Sequence, residues 1–379
     1  MKIISVVGAR PNFMKIAPFC KALKQYPEIR HVLVHTGQHY DVRMSDSFFT
    51  DLGIPAPDIH LNIGSGSHAE QVGKTMIEFE KVVKQEKPDW IVVVGDVNAT
   101  CACSIVAKKE HIKLAHIEAG LRSGDIDMPE EVNRLVTDRL ADLLLTPDRI
   151  SNANLKAEGV PDEKVAFVGN IMIDTLEAQR EKAAERDLAE LVKRELLIPG
   201  TALPEIKDGN FAVMTMHRPS NVDQKETLQP LIDFLTGEVC KDLVLLWPIH
   251  PRARKQLETF GLWEQVAGKI VLLNPLGYHD MLRLNMGAKL MLTDSGGLQE
   301  ECCVLGTPCL TLRWNTERPV TLKEHGGASQ LVGNDVDKIC AAYRDILKSV
   351  RQPQRPELWD GHTAERIVET LIRSGRNDA

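Results

Sequence analysis

The sequence predicts an α/β protein built from two parallel-sheet domains. Three observations carry this expectation. Apolar runs of strand length alternate with helix-period segments almost from end to end. Most of these runs are continuously apolar, the pattern of strands covered by helices on both faces. At 379 residues the chain is also long for one hydrophobic core, which favours a split into two domains.

Each element has its own signal. The apolar run over 2–7 is a strand, and 11–24 follows as a helix with Phe13, Ile16, Ala17, Cys20 and Leu23 on one face. A strand is expected over 31–36, a helix over 69–84, a buried strand over 90–94 and a helix over 99–109. A strand over 114–117 and a helix over 129–140 come next, and strands over 143–146 and 165–168 close the first series. A charged helical stretch over 176–193 and a polar, turn-rich loop over 198–210 separate it from the second series. There, strands over 211–215, 243–249, 270–273, 290–293 and 309–312 alternate with helices near 252–260, 278–286, 298–305 and 336–350. The domain boundary is therefore expected near 170–200, and a last helix over about 363–374 ends the chain.

Composition excludes several classes. A hydrophobic content of 43% with 26% charged residues is that of an ordinary soluble globular protein. A formal net charge of -7 argues against general nucleic-acid binding. No apolar run is long enough to span a bilayer, and the chain enters its first strand right after Met1-Lys2, so no signal peptide is expected. The eight cysteines are scattered through apolar segments. Neither Cys101-Ala102-Cys103 nor Cys302-Cys303 has the paired spacing of a zinc site, which leaves buried free thiols and no structural metal.

Function is expected at the carboxyl ends of the strands, where open parallel sheets bind ligands. In the first series those ends read Gly8-Ala9-Arg10, Gly37-Gln38-His39, Gly95-Asp96-Val97-Asn98 and Glu118-Ala119-Gly120-Leu121-Arg122. In the second they read Met216-His217-Arg218, His250-Pro251-Arg252, Asp294-Ser295-Gly296-Gly297 and Arg313 to Arg318. Taken singly, each is a plain solvated loop charge. Carboxylates, imidazoles and guanidiniums together at so many strand ends suit chemistry on an anionic ligand, with Asp96, Glu118 and Glu131 as an acid/base set. Asp294 to Glu301 is the sharpest piece, a strand, a small-residue loop and a helix start. Its glycines let backbone approach a phosphate, the helix N-terminus offers N–H donors, and Glu301 stands one turn in, where it would accept from ribose hydroxyls. Arg10 and Lys15 bring positive charge to the corresponding loop of the first strand. No Gly-x-Gly-x-x-Gly or P-loop motif is present, so dehydrogenase and kinase readings fall.

In this order, the pieces resemble the non-hydrolysing UDP-N-acetylglucosamine 2-epimerases. The resemblance runs through Val7 to Lys15, Thr36-Gly37-Gln38-His39, Gly95-Asp96, His116 to Arg122, Met128 to Arg134, His217-Arg218 with Asn221, Thr293 to Glu301, and Thr316-Glu317-Arg318-Pro319. It implies two facing Rossmann-like domains of the GT-B type with an interdomain cleft. The first would cover 1–170 and the second, UDP-binding, 171–360, with the C-terminal helix 361–379 packing back on the first. It further implies a cytoplasmic homodimer that acts on a nucleotide sugar without a cofactor, a metal, nucleic acid or a membrane, supplying UDP-N-acetylmannosamine for surface polysaccharides. Carried over, Arg10, Lys15, His217, Ser295, Gly296, Gly297 and Arg318 would hold the UDP portion and Glu301 the ribose. Asp96, Glu118 and Glu131 would surround the sugar, and Leu276 and Met281 fall at the uracil side, where only backbone or apolar contact is implied. The resemblance does not extend to 40–43 and 64–68, where members activated by a second substrate molecule carry a different pattern. A branch acting on a diacetamido uronic sugar shares much of the pattern; a glycosyltransferase of the same architecture is a further alternative, and a non-enzymatic nucleotide-sugar sensor is the last.

Overall fold

A computed structural model describes residues 1–37 and 52–376. The chain divides into two compact units. One is Met1–Ala178 with the C-terminal stretch from Pro356; the other is Gln179–Arg355. The first division lies inside the helix Ile171–Ala184.

The first unit holds a sheet of β1 (Lys2–Val7), β2 (Arg30–His35), β3 (Ile59–His60), β4 (Trp90–Val94), β5 (Lys113–Ile117), β6 (Leu143–Thr146) and β7 (Val165–Phe167). Their order is β3-β2-β1-β4-β5-β6-β7, and every pairing is parallel. The strand order reverses between β1 and β4, the topological switch point at which such sheets bind ligands. All five residues of β4 are buried, as an interior parallel strand requires. The C-terminal helix Thr363–Arg376 is tied to this unit by Asp174, whose carboxylate accepts from the first N–H groups of that helix, Thr363 at 3.1 Å and Ala364 at 2.7 Å. Trp359 adds a bond from Nε1 to the Pro147 carbonyl at 2.9 Å.

The second unit repeats the plan with β8 (Phe211–Thr215), β9 (Val244–Pro248), β10 (Val271–Leu273), β11 (Leu290–Thr293), β12 (Cys309–Thr311) and β13 (Ser329–Leu331). The order is β10-β9-β8-β11-β12-β13, again all parallel. Alternate residues of one strand enter different cores: Ala212 and Met214 one cluster, Phe211 and Val213 another. This is the period-2 geometry of a strand covered on both faces. The switch point here lies between β8 and β11. Both units are thus Rossmann-like.

Several elements differ from expectation for local reasons. The charged stretch over 176–193 is two helices, Ile171–Ala184 and Leu188–Arg194; Asp187 starts the second by accepting from the Glu190 N–H at 2.8 Å. The helix expected from 298 begins two residues earlier, at Gly296. Helices Arg149–Ala157 and Lys225–Phe234 are additional, the second despite an internal Pro230.

Candidate active site

In the first unit, the residues that follow β1, β4 and β5 meet at the switch point. Asn12, on the helix Arg10–Leu23, accepts from the N–H groups of Gly8 and Ala9 at 3.1 Å each and donates to the Val94 carbonyl at 3.0 Å. One side chain therefore locks the β1 loop to the end of β4. Arg10 opens this helix, and its side chain lies outside the described atoms. Gly95 has φ +68, a conformation suited to glycine. A Cβ there would stand 3.2 Å from Lys15 Nζ and 3.5 Å from Glu118 Oε2, so the glycine makes room for both.

Two acidic residues stand at this edge with different cations. Glu118 is buried and ion-paired to buried Lys15 through Oε2. Its other oxygen, Oε1, is buried and meets no hydrogen-bond partner among the described residues. The Glu118 backbone lies at φ +72, an uncommon conformation that costs about 1–3 kcal/mol and clusters at functional sites. Bonds from the Glu118 and Ala119 N–H groups to the Leu145 carbonyl, 3.1 Å each, hold it there. Asp96 is ion-paired instead to Arg134 Nη1, with its side chain 24% exposed.

Arg134 joins Asp96 to Glu131. Its Nε and Nη2 reach Glu131 Oε2 at 2.8 and 2.6 Å, and Glu131 also accepts from the Ser123 and Gly124 N–H groups. Burial opposes charge on Glu131, but the Ser123 and Gly124 N–H groups and the Arg134 guanidinium hold its carboxyl below the usual carboxylate range. Arg134 ends the segment Met128 to Arg134, yet its place between two acids is not visible in sequence. The helix start at Pro129 was the only signal, since residues three and four apart share a face. Asn133, on the same helix, donates to the Asp96 carbonyl at 2.8 Å.

In the second unit, Asp294 and His217 pair across the switch point between β11 and β8, with Nδ1 and Oδ1 2.8 Å apart. Asp294 Oδ2 accepts from the backbone N–H groups of His217 at 2.9 Å and Arg218 at 2.8 Å, and from Asn221 at 3.2 Å. Burial would raise the Asp294 carboxyl, but His217 and these donors hold it below its ordinary range. The His217 side chain is 42% exposed, and the His250 ring lies 5.5 Å from it, centroid to centroid.

Ser295 precedes the helix Gly296–Leu305 and makes no capping bond with its side chain, so the first-turn N–H groups form an anion-favouring terminus. Arg318 lies directly over this turn: a Cβ on Gly296 would meet Arg318 Nη1 at 2.8 Å and Glu317 Oε1 at 2.5 Å. Arg318 is buried and paired with Glu300, Nε to Oε1 2.8 Å, and with Glu317. Glu301 is also buried, and burial pushes its carboxyl up to about 7, an effect that Tyr278 and Asn285 beside it partly offset. Leu276 is buried in an apolar cluster with Met281 packed against it. The structure therefore groups Asp96, Glu118, Glu131 and Lys15 in one unit. It groups His217, Ser295, Gly296, Gly297 and Arg318 around the strand ends of the other. Residues 40–43, with Gln38 and His39, lie outside the described residues.

Comparison with known proteins adds a family. A family model described as UDP-N-acetylglucosamine 2-epimerase matches residues 21–372. A UDP-N-acetylglucosamine 2-epimerase of Methanocaldococcus jannaschii is 40% identical over 98% of this chain and 99% of its own. The crystal structure of the UDP-GlcNAc 2-epimerase from that organism, in complex with UDP-GlcNAc and UDP, superposes with a TM-score of 0.88 at 39% identity, covering 98% of this chain and 100% of that one. A UDP-2,3-diacetamido-2,3-dideoxy-D-glucuronate 2-epimerase of Pseudomonas aeruginosa is 36% identical over 98% of this chain and 100% of its own.

Proposed function

The chain belongs to the UDP-N-acetylglucosamine 2-epimerase family and is an epimerase, and on that premise we propose that it inverts C2 of UDP-N-acetylglucosamine. The product is UDP-N-acetylmannosamine. The C2 proton of an N-acetyl sugar is poorly acidic because no carbonyl adjoins it in the ring. Elimination removes the difficulty. A base takes the C2 proton, the C–H electron pair forms a C1–C2 double bond, and the C1–O bond breaks with its electrons leaving on UDP. Protonation of C2 from the opposite face and re-formation of the C1–O bond complete an isomerisation that neither gains nor loses atoms.

The observation that carries this reading is the separation of Asp96 and Glu118 onto different cations, Arg134 and Lys15. Two carboxylates held separately at different strand ends can serve two faces of one carbon, as a base and an acid require. The buried Oε1 of Glu118 suits it to receive a proton. Glu131 acts through Arg134 to orient Asp96. His217 assists the departing diphosphate, backed by Asp294. Arg10, Lys15, Arg318 and the N–H groups at Ser295, Gly296 and Gly297 stabilise its charge. Glu301 serves the ribose, and Leu276 and Met281 offer apolar contact on the uracil side.

We propose further that the working form is a cytoplasmic homodimer and that its product supplies surface polysaccharide, as the family resemblance implies. A second reading, epimerisation of a UDP-diacetamido uronic sugar, is favoured by the 36% identity to an enzyme of that name. Incubation with UDP-N-acetylglucosamine alone, followed by chromatography, tests the assignment. The epimerase reading predicts UDP-N-acetylmannosamine at equilibrium with substrate. Free N-acetylmannosamine plus UDP would indicate a hydrolysing enzyme. Unchanged substrate, with turnover of the diacetamido uronic sugar, would move the assignment to the second reading; a requirement for an acceptor would indicate a glycosyltransferase.

A further inference from the structure

We infer that His116 and Asp138 form a buried hydrogen-bonded pair that positions both proton-transfer carboxylates, a role that rests on the reading of Asp96 and Glu118 given above. His116 is the residue on β5 two before Glu118, and its side chain is fully buried. Its Nδ1 lies 2.6 Å from Asp138 Oδ1, and its Nε2 lies 2.8 Å from the Gly95 carbonyl oxygen. A carbonyl oxygen has no hydrogen to give, so Nε2 must donate. Asp138 is also an acceptor: Oδ2 takes the Gly120 N–H at 3.0 Å and Arg122 Nη1 at 2.7 Å. Burial works against its charge, but His116 and Arg122 hold the carboxyl below its ordinary range. The two ring nitrogens thus link the Gly95 carbonyl on one side to the Asp138 carboxyl on the other.

The consequence lies in what the two partners touch. Gly95 is the residue before Asp96, and Gly120 is two after Glu118. Through Nε2 the ring fixes the Gly95–Asp96 peptide; through Asp138 it fixes the turn that holds Glu118 at positive φ. Asp138 projects from the helix Pro129–Leu140, which also carries Glu131, Asn133 and Arg134. All four are buried, and Asn133 and Arg134 bond Asp96 directly. One helix face thus braces both strand ends, with His116 as the bridge between them. His116 and Asp138 are positioning residues. Neither is placed on the substrate.

Two conservative variants separate the two bonds. His116→Gln places an amide N–H near Nε2 and keeps the bond to Gly95. His116→Asn places one near Nδ1 and keeps only the bond to Asp138. The inference predicts a fall in kcat of roughly 10- to 100-fold for His116→Asn, the scale of leaving one buried polar group without its hydrogen bond. It predicts partial recovery in His116→Gln, with KM and UDP affinity within about threefold of the parent in both, given the tenfold scale of one such bond. Turnover within threefold of the parent in both variants, equal losses in the two, or kcat and UDP affinity falling together would each overturn it. Nitrogen NMR of histidine-labelled protein, with His116→Asn to assign the signal, gives a readout that needs no turnover. An Nε2 that carries a proton supports the inference, and an unprotonated Nε2 overturns it. Failure of the parent enzyme to act on any UDP-sugar, with the NMR signature intact, would count against the proposed reaction and leave the His116–Asp138 pair standing.

Discussion

Arg134 binds Asp96 with one terminal nitrogen and Glu131 with the other, so the half-buried Asp96 carboxylate is held by a guanidinium that a buried carboxylate anchors. Lys15 belongs to Glu118, and this division sets the roles argued for the two acids.

Asp96→Asn is expected to lower kcat by about 100- to 10,000-fold, the range for loss of a positioned acid or base. UDP affinity should stay within a few-fold, because the proposed role is at C2 and not at phosphate. Steady-state rates combined with UDP calorimetry check both parts; full retention of turnover would falsify the assignment.

Arg318→Ala is expected to weaken UDP binding by roughly 10- to 150-fold, corresponding to about 1.5–3 kcal/mol for charge-assisted bonds to phosphate. Glu300 and Glu317 would also lose a buried cation, so the melting temperature should fall too. Unchanged UDP affinity by calorimetry sinks the role.

Gly296→Ala tests the same site without removing a charge. The added Cβ would lie 2.5 Å from Glu317 Oε1 and 2.8 Å from Arg318 Nη1, closer than real Cβ contacts, and both groups are buried. Displacing the guanidinium should weaken UDP binding by about tenfold, the worth of roughly 1.4 kcal/mol. UDP affinity equal to that of the parent would show that Arg318 need not sit over the helix terminus.

Glu301 gives a pH dependence with a definite sign. Burial raises its folded-state carboxyl from 4.5 to about 7, so the folded state binds the proton more tightly than the unfolded one. Below about 4.5 both states are protonated and Glu301 contributes nothing; as pH rises towards 7 the folded state loses stability, by on the order of 3 kcal/mol in full. Glu301→Gln should flatten that slope and stabilise the protein at pH 8. Urea denaturation from pH 5 to 8 measures it, and parallel curves for parent and variant would contradict the prediction.

Most of the fold was legible because its strands are continuous apolar runs: 2–7, 90–94, 143–146, 211–215 and 290–293 coincide with strands. Two-residue β3 and the helix through Pro230 were not legible, since one is too short for periodicity and the other violates local propensity. The site residues could be proposed from strand ends, but their pairing could not. Lys15 and Glu118 are 103 positions apart, and nothing in the sequence pairs them. Arg134 and Asp96 are 38 apart, and only the fold shows which acid a buried cation serves. Glu301 reads as a ribose-facing acid one turn into its helix; its burial beside Tyr278 and Asn285 is a tertiary fact.

The central claim, that C2 is deprotonated and reprotonated as UDP leaves and returns, is tested most directly by proton NMR of UDP-N-acetylglucosamine incubated with the protein in deuterated water. The account predicts UDP-N-acetylmannosamine bearing deuterium at C2, with loss of the C2 proton signal keeping pace with product formation. Epimerised product that retains its C2 proton throughout would contradict it.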